Sequence, residues 1–311
     1  MEKISKVVLP KELAEVFSQK TISSSSVASA EAYHADSLEH LMRIVAGISA
    51  YNPSYAVLFR GQSRDYRAGK ATCILPSIYR GISSSSEEAA VELDRRFSRL
   101  GVASDLLAQA LNGGETKKFV ARRIQQWALI QHYEICETPL LDLTRSLRVA
   151  CWFALSEASG GDSPVLYVFG MPYMHDRVAL DSNCELFQMN LVSLLPPNAE
   201  RPAFQEGVLA GYEQPDKKQQ AIKNSDFSRR LLAKISLPRT DAFLNSIGLK
   251  KGLIYPEDDP YLPVAKIISA QLESNGVWSA DDGLLENLLK SSESMAAAYT
   301  NAVQHLKRNM D

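Results

Sequence analysis

Cysteine and histidine are scarce in this chain, with four and five residues among 311. Cys73, Cys136, Cys151 and Cys184 lie far apart, without a Cys-x-x-Cys pair or a Cys/His grouping. That spacing argues against a disulfide framework and against structural zinc. Cys151 sits in Val149-Ala150-Cys151-Trp152-Phe153 and reads as core. The carboxylates form no recognisable metal constellation, so no metal is expected. No apolar run is long enough to span a bilayer, and residues 1–6 lead into no signal-peptide core. The expectation is a cytoplasmic protein with no membrane partner. A serine-hydrolase elbow, a P-loop and a Gly-x-Gly-x-x-Gly fingerprint are also missing. Charge is nearly balanced, at -2 overall, which gives no bulk attraction to nucleic acid; any anion site must be local.

What is present is a globular composition, 45% hydrophobic and 23% charged, in a chain long enough for a large core. Pro10 starts a short helix within residues 1–20, and the serines at 23–26 read as a flexible connection. From Asp36, taken as an N-cap, Leu38, Leu41, Met42, Val45 and Ile48 recur at helical spacing, up to the break at Asn52-Pro53-Ser54. A β-rich run at 55–59 ends in Arg60-Gly61-Gln62-Ser63-Arg64. After a loop containing Tyr79-Arg80 and a second serine cluster at 83–86, the pattern predicts helices at 87–100, 103–111, 117–131 and 145–157. Asn112-Gly113-Gly114 marks a turn among them. Strands are predicted at 164–170, 184–191, 203–209 and 231–237, and helices at 241–247 (ended by Gly248), 263–274 and 282–309. These elements predict an α+β fold: a helical N-terminal half on a mixed, mostly antiparallel sheet, with C-terminal helices.

Three polar groups stand at the edges of apolar segments. Arg60 follows strand-like residues and precedes Gly61, which permits a sharp turn or a close ligand approach. A guanidinium there makes a bidentate fork for phosphate or carboxylate, and would equally make a structural salt bridge. The second group is Gln131-His132-Tyr133-Glu134, followed by Thr138-Pro139-Leu140-Leu141-Asp142-Leu143-Thr144-Arg145. Asp142 or Thr144 could simply cap the next helix, yet so many polar groups between apolar helices exceed what a cap requires. The third is Arg201-Pro202-Ala203-Phe204-Gln205-Glu206-Gly207, read as a strand with a glycine that allows close backbone approach or a bulge.

The ordered set Phe59-Arg60-Gly61-Gln62, Leu75-Pro76-Ser77-Ile78-Tyr79-Arg80, His132-Tyr133, Thr138 to Thr144 and Arg201-x-x-x-Gln205-x-Gly207 resembles the FRG-domain family, over about 36–268. Residues 1–35 then form an N-terminal helix and connection, and residues 269–311 a helical extension. The chain departs from the family at Glu134, Glu137 and Leu143, where Gly, Pro and an aromatic are common, and at Leu209, where an aromatic is usual. The resemblance implies a shared polar site built from these motifs. A weaker similarity, to the NAD sites of ADP-ribosyltransferases, rests on Phe59-Arg60-Gly61, His132-Tyr133 and Gln205-Glu206-Gly207 in that order. It implies Arg60, His132, Asp142, Gln205 and Glu206 as catalytic candidates, with NAD as substrate. Arg60 would hold the pyrophosphate, His132 a ribose hydroxyl or the nicotinamide amide, and Asp142 or Glu206 an oxocarbenium-like transition state. Gly207 stands where many such enzymes place a glutamate. Ligand-binding candidates are Gly61, Gln62, Arg64, Arg80, Tyr133, Thr138, Thr144, Arg145, Arg201 and Gly207. The alternative is a non-catalytic sensor of nucleotide or nucleic acid, in which Arg60, Arg64, Arg80, Arg145 and Arg201 converge on phosphate. The partner in either case is a nucleotide or another phosphate-bearing ligand, with a protein or nucleic-acid target. A setting in bacterial defence or toxicity accompanies the family resemblance.

Overall fold

A computed structural model describes residues 1–82, 87–111, 120–161, 163–196, 199–215 and 219–274. The second serine cluster, the turn at 112–114 and the helix at 282–309 lie outside the described residues. The chain opens with β1 (Val7–Val8), α1 (Lys11–Phe17) and β2 (Thr21–Ile22), the two strands pairing antiparallel. The serines expected to be a loose connection instead build α2 (Ser24–Ser29). The Ser23 hydroxyl accepts from the Ser26 amide at 3.2 Å, and Val27 and Ala28 are buried. A serine run is thus a helix start when its first member can cap and its last turn can bury. After β3 (Tyr33–His34), the helix α3 (Leu38–Tyr51) is capped by Ser37 rather than Asp36, and Leu41, Ile44, Val45 and Ile48 form its buried stripe.

β4 (Ala56–Gln62) runs through the Phe-Arg-Gly-Gln motif instead of stopping before it. The small hairpin β5 (Arg67–Ala68) and β6 (Ala71–Thr72) leads to a single 3-10 turn at Ser77–Tyr79. The two helices expected at 87–100 and 103–111 are one, α4 (Glu87–Ala110), which passes through Gly101 without a break. α5 (Arg123–His132) precedes β7 (Leu140–Thr144), so Asp142 and Thr144 lie within a strand and neither is the N-cap of the next helix, which is Ser146; the Thr144 hydroxyl accepts from the Ser146 amide at 2.9 Å. α6 (Leu147–Ser156) follows, then β8 (Val165–Met171), β9 (Val178–Asp181), β10 (Leu186–Asn190) and α7 (Leu191–Leu194). Residues 203–209 are not one strand: α8 (Glu200–Phe204) ends at Gln205, and β11 (Gly207–Tyr212) begins two residues later. The remainder is α9 (Gln219–Asn224), β12 (Leu231–Ser236), α10 (Asp241–Ile247), α11 (Lys251–Ile254) and α12 (Tyr261–Ser274). Gly248 ends α10 in the left-handed conformation, at φ 71°.

Eight strands form one sheet in the order β3-β12-β8-β4-β7-β11-β10-β9, with helices on both sides. Every neighbouring pair is antiparallel except β12 with β3, so the fold is α+β with a mixed, mostly antiparallel sheet. The two innermost strands, β4 and β7, come from the half of the chain expected to be helical. One core, on which α3, α6 and α10 pack, includes Leu141, Leu143, Val208 and Ala210. The other, with α4, α5 and α12, takes Leu140 and Leu209 from the same strands. This alternation is the period of two expected of a sheet covered on both faces. No helix among the described residues is long and apolar enough to cross a membrane.

Candidate functional site

A cleft of about 500 Å³ opens where the two cores meet. Its walls bring together Arg60 and Gly61 from β4, Arg80 after the 3-10 turn, and His132 at the end of α5. Asp142 and Thr144 enter from β7, Arg201 and Gln205 from α8 and its end, and Gly207 from the start of β11. Six other predicted residues do not line it. Gln62 lies further along β4, and Arg64 rests over the Tyr66 ring at 5.0 Å. Tyr133 donates its hydroxyl to Asp259 at 2.9 Å, while Thr138 stands behind Gln131. Arg145 is exposed, with its amide on the Glu206 carbonyl. Glu206 is exposed just before β11 with φ 46°, so strand alternation does not decide where it faces.

Gly61 serves packing rather than a turn. A Cβ built there would lie 1.8 Å from the Ala150 carbonyl oxygen and 2.7 Å from the Ala154 nitrogen, so the backbone of α6 is what approaches. That approach brings α6 over β4 and sets Phe153 and Glu157 on the cleft wall. Gly207 is less constrained, since its nearest neighbour would be the Leu191 Cδ1 at 2.9 Å, a side-chain end that can move.

The guanidiniums are held mainly by backbone. Arg60 Nη1 donates to the Asp142 carbonyl at 2.7 Å, and Arg80 Nε to the Leu75 carbonyl at 2.9 Å. Neither makes an ion pair with a carboxylate among the described residues, and the buried Arg60 Nε has no partner. Loss of hydration in the cleft draws the Arg80 pKa down, and the charge of Arg60 adds to the effect. Arg201 is 5% exposed. Its guanidinium lies 4.6 Å from the Tyr255 ring centre and 5.4 Å from that of Tyr133, with Glu134 at 3.4 Å.

Acidic groups share the space. Burial raises the pKa of Asp142 and of Glu157, and Arg60 opposes both shifts. The Asp142 Oδ2 accepts from the Gln131 amide, whose own oxygen accepts from the Thr138 hydroxyl. His132 is buried, and burial followed by the charge of Arg201 pushes its pKa down to about 3. It is therefore a neutral imidazole at physiological pH, with Nε2 unpartnered among the described residues. Cys136 also lines the cleft, but burial pushes its thiol up to about 12, which denies it thiolate chemistry. Among the described residues no cluster of His, Cys, Asp and Glu could hold a metal ion.

Sequence reasoning did not single out Gln131, Phe153, Glu157 or Tyr255 as site residues. Gln131 adjoins His132, and Glu157 is the first charged residue after an apolar helix, a signal that could have found it. Tyr255 is brought in by α11 from far along the chain and carried no local signal.

Glu134 adopts φ 56° at the end of α5, a conformation that costs a non-glycine residue roughly 1 kcal/mol. Its contact with Arg201 is mostly solvent-exposed on the Glu134 side and contributes little. Glu134→Gly is expected to raise the unfolding free energy by about 0.5 to 1 kcal/mol. A lower urea midpoint in the variant would show that the ion pair dominates instead.

A search of curated proteins and of solved structures finds no match. The family model of the FRG domain matches residues 55–163, from the entry to β4 through α6. The stretch that supplies Arg60, Arg80, Gln131, His132 and Asp142 to the cleft is thus the stretch that matches the FRG domain.

Proposed function

We propose that the cleft binds a nucleotide or a closely related phosphate ester. The observation that carries this reading is the pair Arg60 and Arg80, two cations in one cleft that are tied to backbone carbonyls and not neutralised by direct ion pairs among the described residues. Backbone acceptors fix a guanidinium without cancelling its charge, which leaves the remaining N–H groups for an anion. A volume of about 500 Å³ falls in the range of small-ligand pockets. Phe153 and Tyr255 add flat apolar surface suited to a planar ring. The carboxylates in the same walls argue against a wide groove for polynucleotide backbone and favour a compact ligand with both anionic and hydroxyl groups.

Calorimetric titration of a nucleotide panel tests this directly. Arg60→Ala is expected to weaken the best ligand about 10- to 100-fold, the loss of a charge-assisted hydrogen bond. Arg60→Lys should recover part of the affinity, because it restores charge without the fork. Equal affinity in wild type and Arg60→Ala, or no binding by any nucleotide, would defeat the proposal.

Transfer of ADP-ribose from NAD is the catalytic form of the same reading, and Asp142 is the feature that favours it. This carboxylate lies in the cleft beside Arg60, where it could stabilise an oxocarbenium-like transition state as nicotinamide leaves. Glu206, the other candidate for that role, is outside the cleft. The transferase form requires nicotinamide release from NAD that Asp142→Asn abolishes. Binding without any such turnover assigns the cleft to sensing.

A further inference from the structure

Asp142 has a feature that phosphate binding does not use. Its carboxylate is adjacent to Arg60, yet the guanidinium bonds the Asp142 backbone carbonyl and leaves the side chain unpaired with it. Gln131 occupies Oδ2. Oδ1 accepts nothing from the described residues, and it is not among the buried atoms left without a partner. One oxygen of a fixed carboxylate is therefore left to the cleft as an acceptor.

The groups around it restrict what it can accept from. Arg60 is the charge that reaches Asp142 most strongly, ahead of the opposing Glu134 and of Arg80, and a positively charged ligand group beside Asp142 would meet its repulsion. The fitting donor is neutral. It must also lie close to the phosphate, because the same residue carries the carbonyl that anchors Arg60. In a nucleotide the group next to the phosphate is the sugar. We infer that Asp142 accepts a hydrogen bond from a sugar hydroxyl of the phosphate ester, and that Gln131 is the positioning residue that turns Oδ1 into the cleft.

Gln131 is suited to this by its own restraints. Its oxygen accepts from the Thr138 hydroxyl, which fixes the amide so that its NH₂ group faces Asp142. Thr138 is in turn held by its amide on the Ser77 hydroxyl at 3.0 Å, and it accepts from the Leu140 amide at 3.2 Å. The relay Ser77, Thr138, Gln131, Asp142 thus fixes the hydroxyl acceptor through side chains, apart from the backbone carbonyls of Asp142 and Leu75 that hold Arg60 and Arg80.

This inference rests on the phosphate-binding reading, and the test separates the two. Affinities of ADP, 2′-deoxy-ADP, 3′-deoxy-ADP and inorganic pyrophosphate are measured for wild type, Gln131→Leu, Thr138→Val and Thr138→Ser. Wild type should prefer ADP over at least one deoxy form by about 10-fold or more, the loss expected when a buried polar acceptor is left unpaired. Gln131→Leu and Thr138→Val should lose that preference while binding pyrophosphate as wild type does, and Thr138→Ser should keep it. Wild type that binds ADP and both deoxy forms equally overturns the inference and leaves the phosphate reading standing. Absence of all binding overturns both. If Gln131→Leu and Thr138→Val bind pyrophosphate less well in step with a fall in melting temperature, the relay is structural and the positioning role is wrong.

Discussion

Gly61→Ala should cost the domain at least about 3 kcal/mol, or prevent it from folding at all. The added methyl would stand 1.8 Å from the Ala150 carbonyl oxygen and 2.9 Å from its carbon, atoms of a helix backbone and not of a movable side chain. To relieve the overlap α6 must lift off β4. That helix carries Val149, Ala150, Cys151, Trp152 and Ala154 in the core, so displacement exposes apolar surface along its whole inner face. The cleft would be lost as well, because Phe153 and Glu157 ride on the same helix. Gly101→Ala is the control: it lies within α4 with nothing within 4 Å of the added Cβ, and should stabilise slightly through helix propensity. Soluble yield and urea unfolding of the two variants check the pair. A Gly61→Ala protein with a wild-type midpoint would mean that α6 does not pack as described.

The Phe-Arg-Gly motif therefore joins two unrelated demands. Arg60 faces the cleft, whereas Gly61 admits a helix. The sequence alone made both residues stand out but attached the glycine to the ligand, because a missing Cβ does not say what comes close to it. Strand β4 was recognisable up to Phe59 from its β-branched and aromatic residues. Its continuation through Arg60, Gly61 and Gln62 was not, since those residues have little strand preference and are held there by pairing with Tyr167, Leu166 and Val165.

β7 was hidden for a different reason. Leu140 to Thr144 is only five residues, buried on both sides of the sheet, and such a run reads equally well as a helix approach. Once the strand is placed, Asp142 becomes a polar residue on a central strand and not a cap, which changes its meaning entirely. Gln205 and Glu206 were misplaced because a single left-handed residue, Glu206 at φ 46°, separates a helical turn from β11, and residue type gave no sign of it. The fold class was legible because long apolar periodicities survive such local errors. The far wall of the cleft was not, since Tyr255 arrives through tertiary packing alone.

Asp65→Ala should cost about 3 to 5 kcal/mol at neutral pH, the effect of leaving a buried cation without its counterion. Lys234 on β12 is 3% exposed, and its ammonium donates to Asp65 at 2.9 Å, Thr72 Oγ1 at 2.7 Å and the Ala28 carbonyl at 3.2 Å. Asp65 also accepts from the Thr72 hydroxyl at 2.7 Å and the Tyr167 hydroxyl at 2.9 Å. The network ties α2, the hairpin strand β6 and two strands of the main sheet to the residue that follows Arg64. Burial already draws the Lys234 pKa below its ordinary value, and Asp65 opposes that shift. Removing Asp65 deepens the depression. A lysine depressed in the folded state binds fewer protons than the unfolded chain, so stability rises with pH between the folded pKa and the ordinary lysine value. The variant should accordingly recover part of its loss between pH 7 and about pH 10, where an uncharged amine costs less to bury. The double variant Asp65→Ala with Lys234→Met should be more stable than Asp65→Ala alone, because the orphaned charge is gone. Urea unfolding of the two variants at both pH values decides it: a loss under about 1 kcal/mol, or one that the methionine does not repair, would show that Lys234 reaches water once Asp65 is absent.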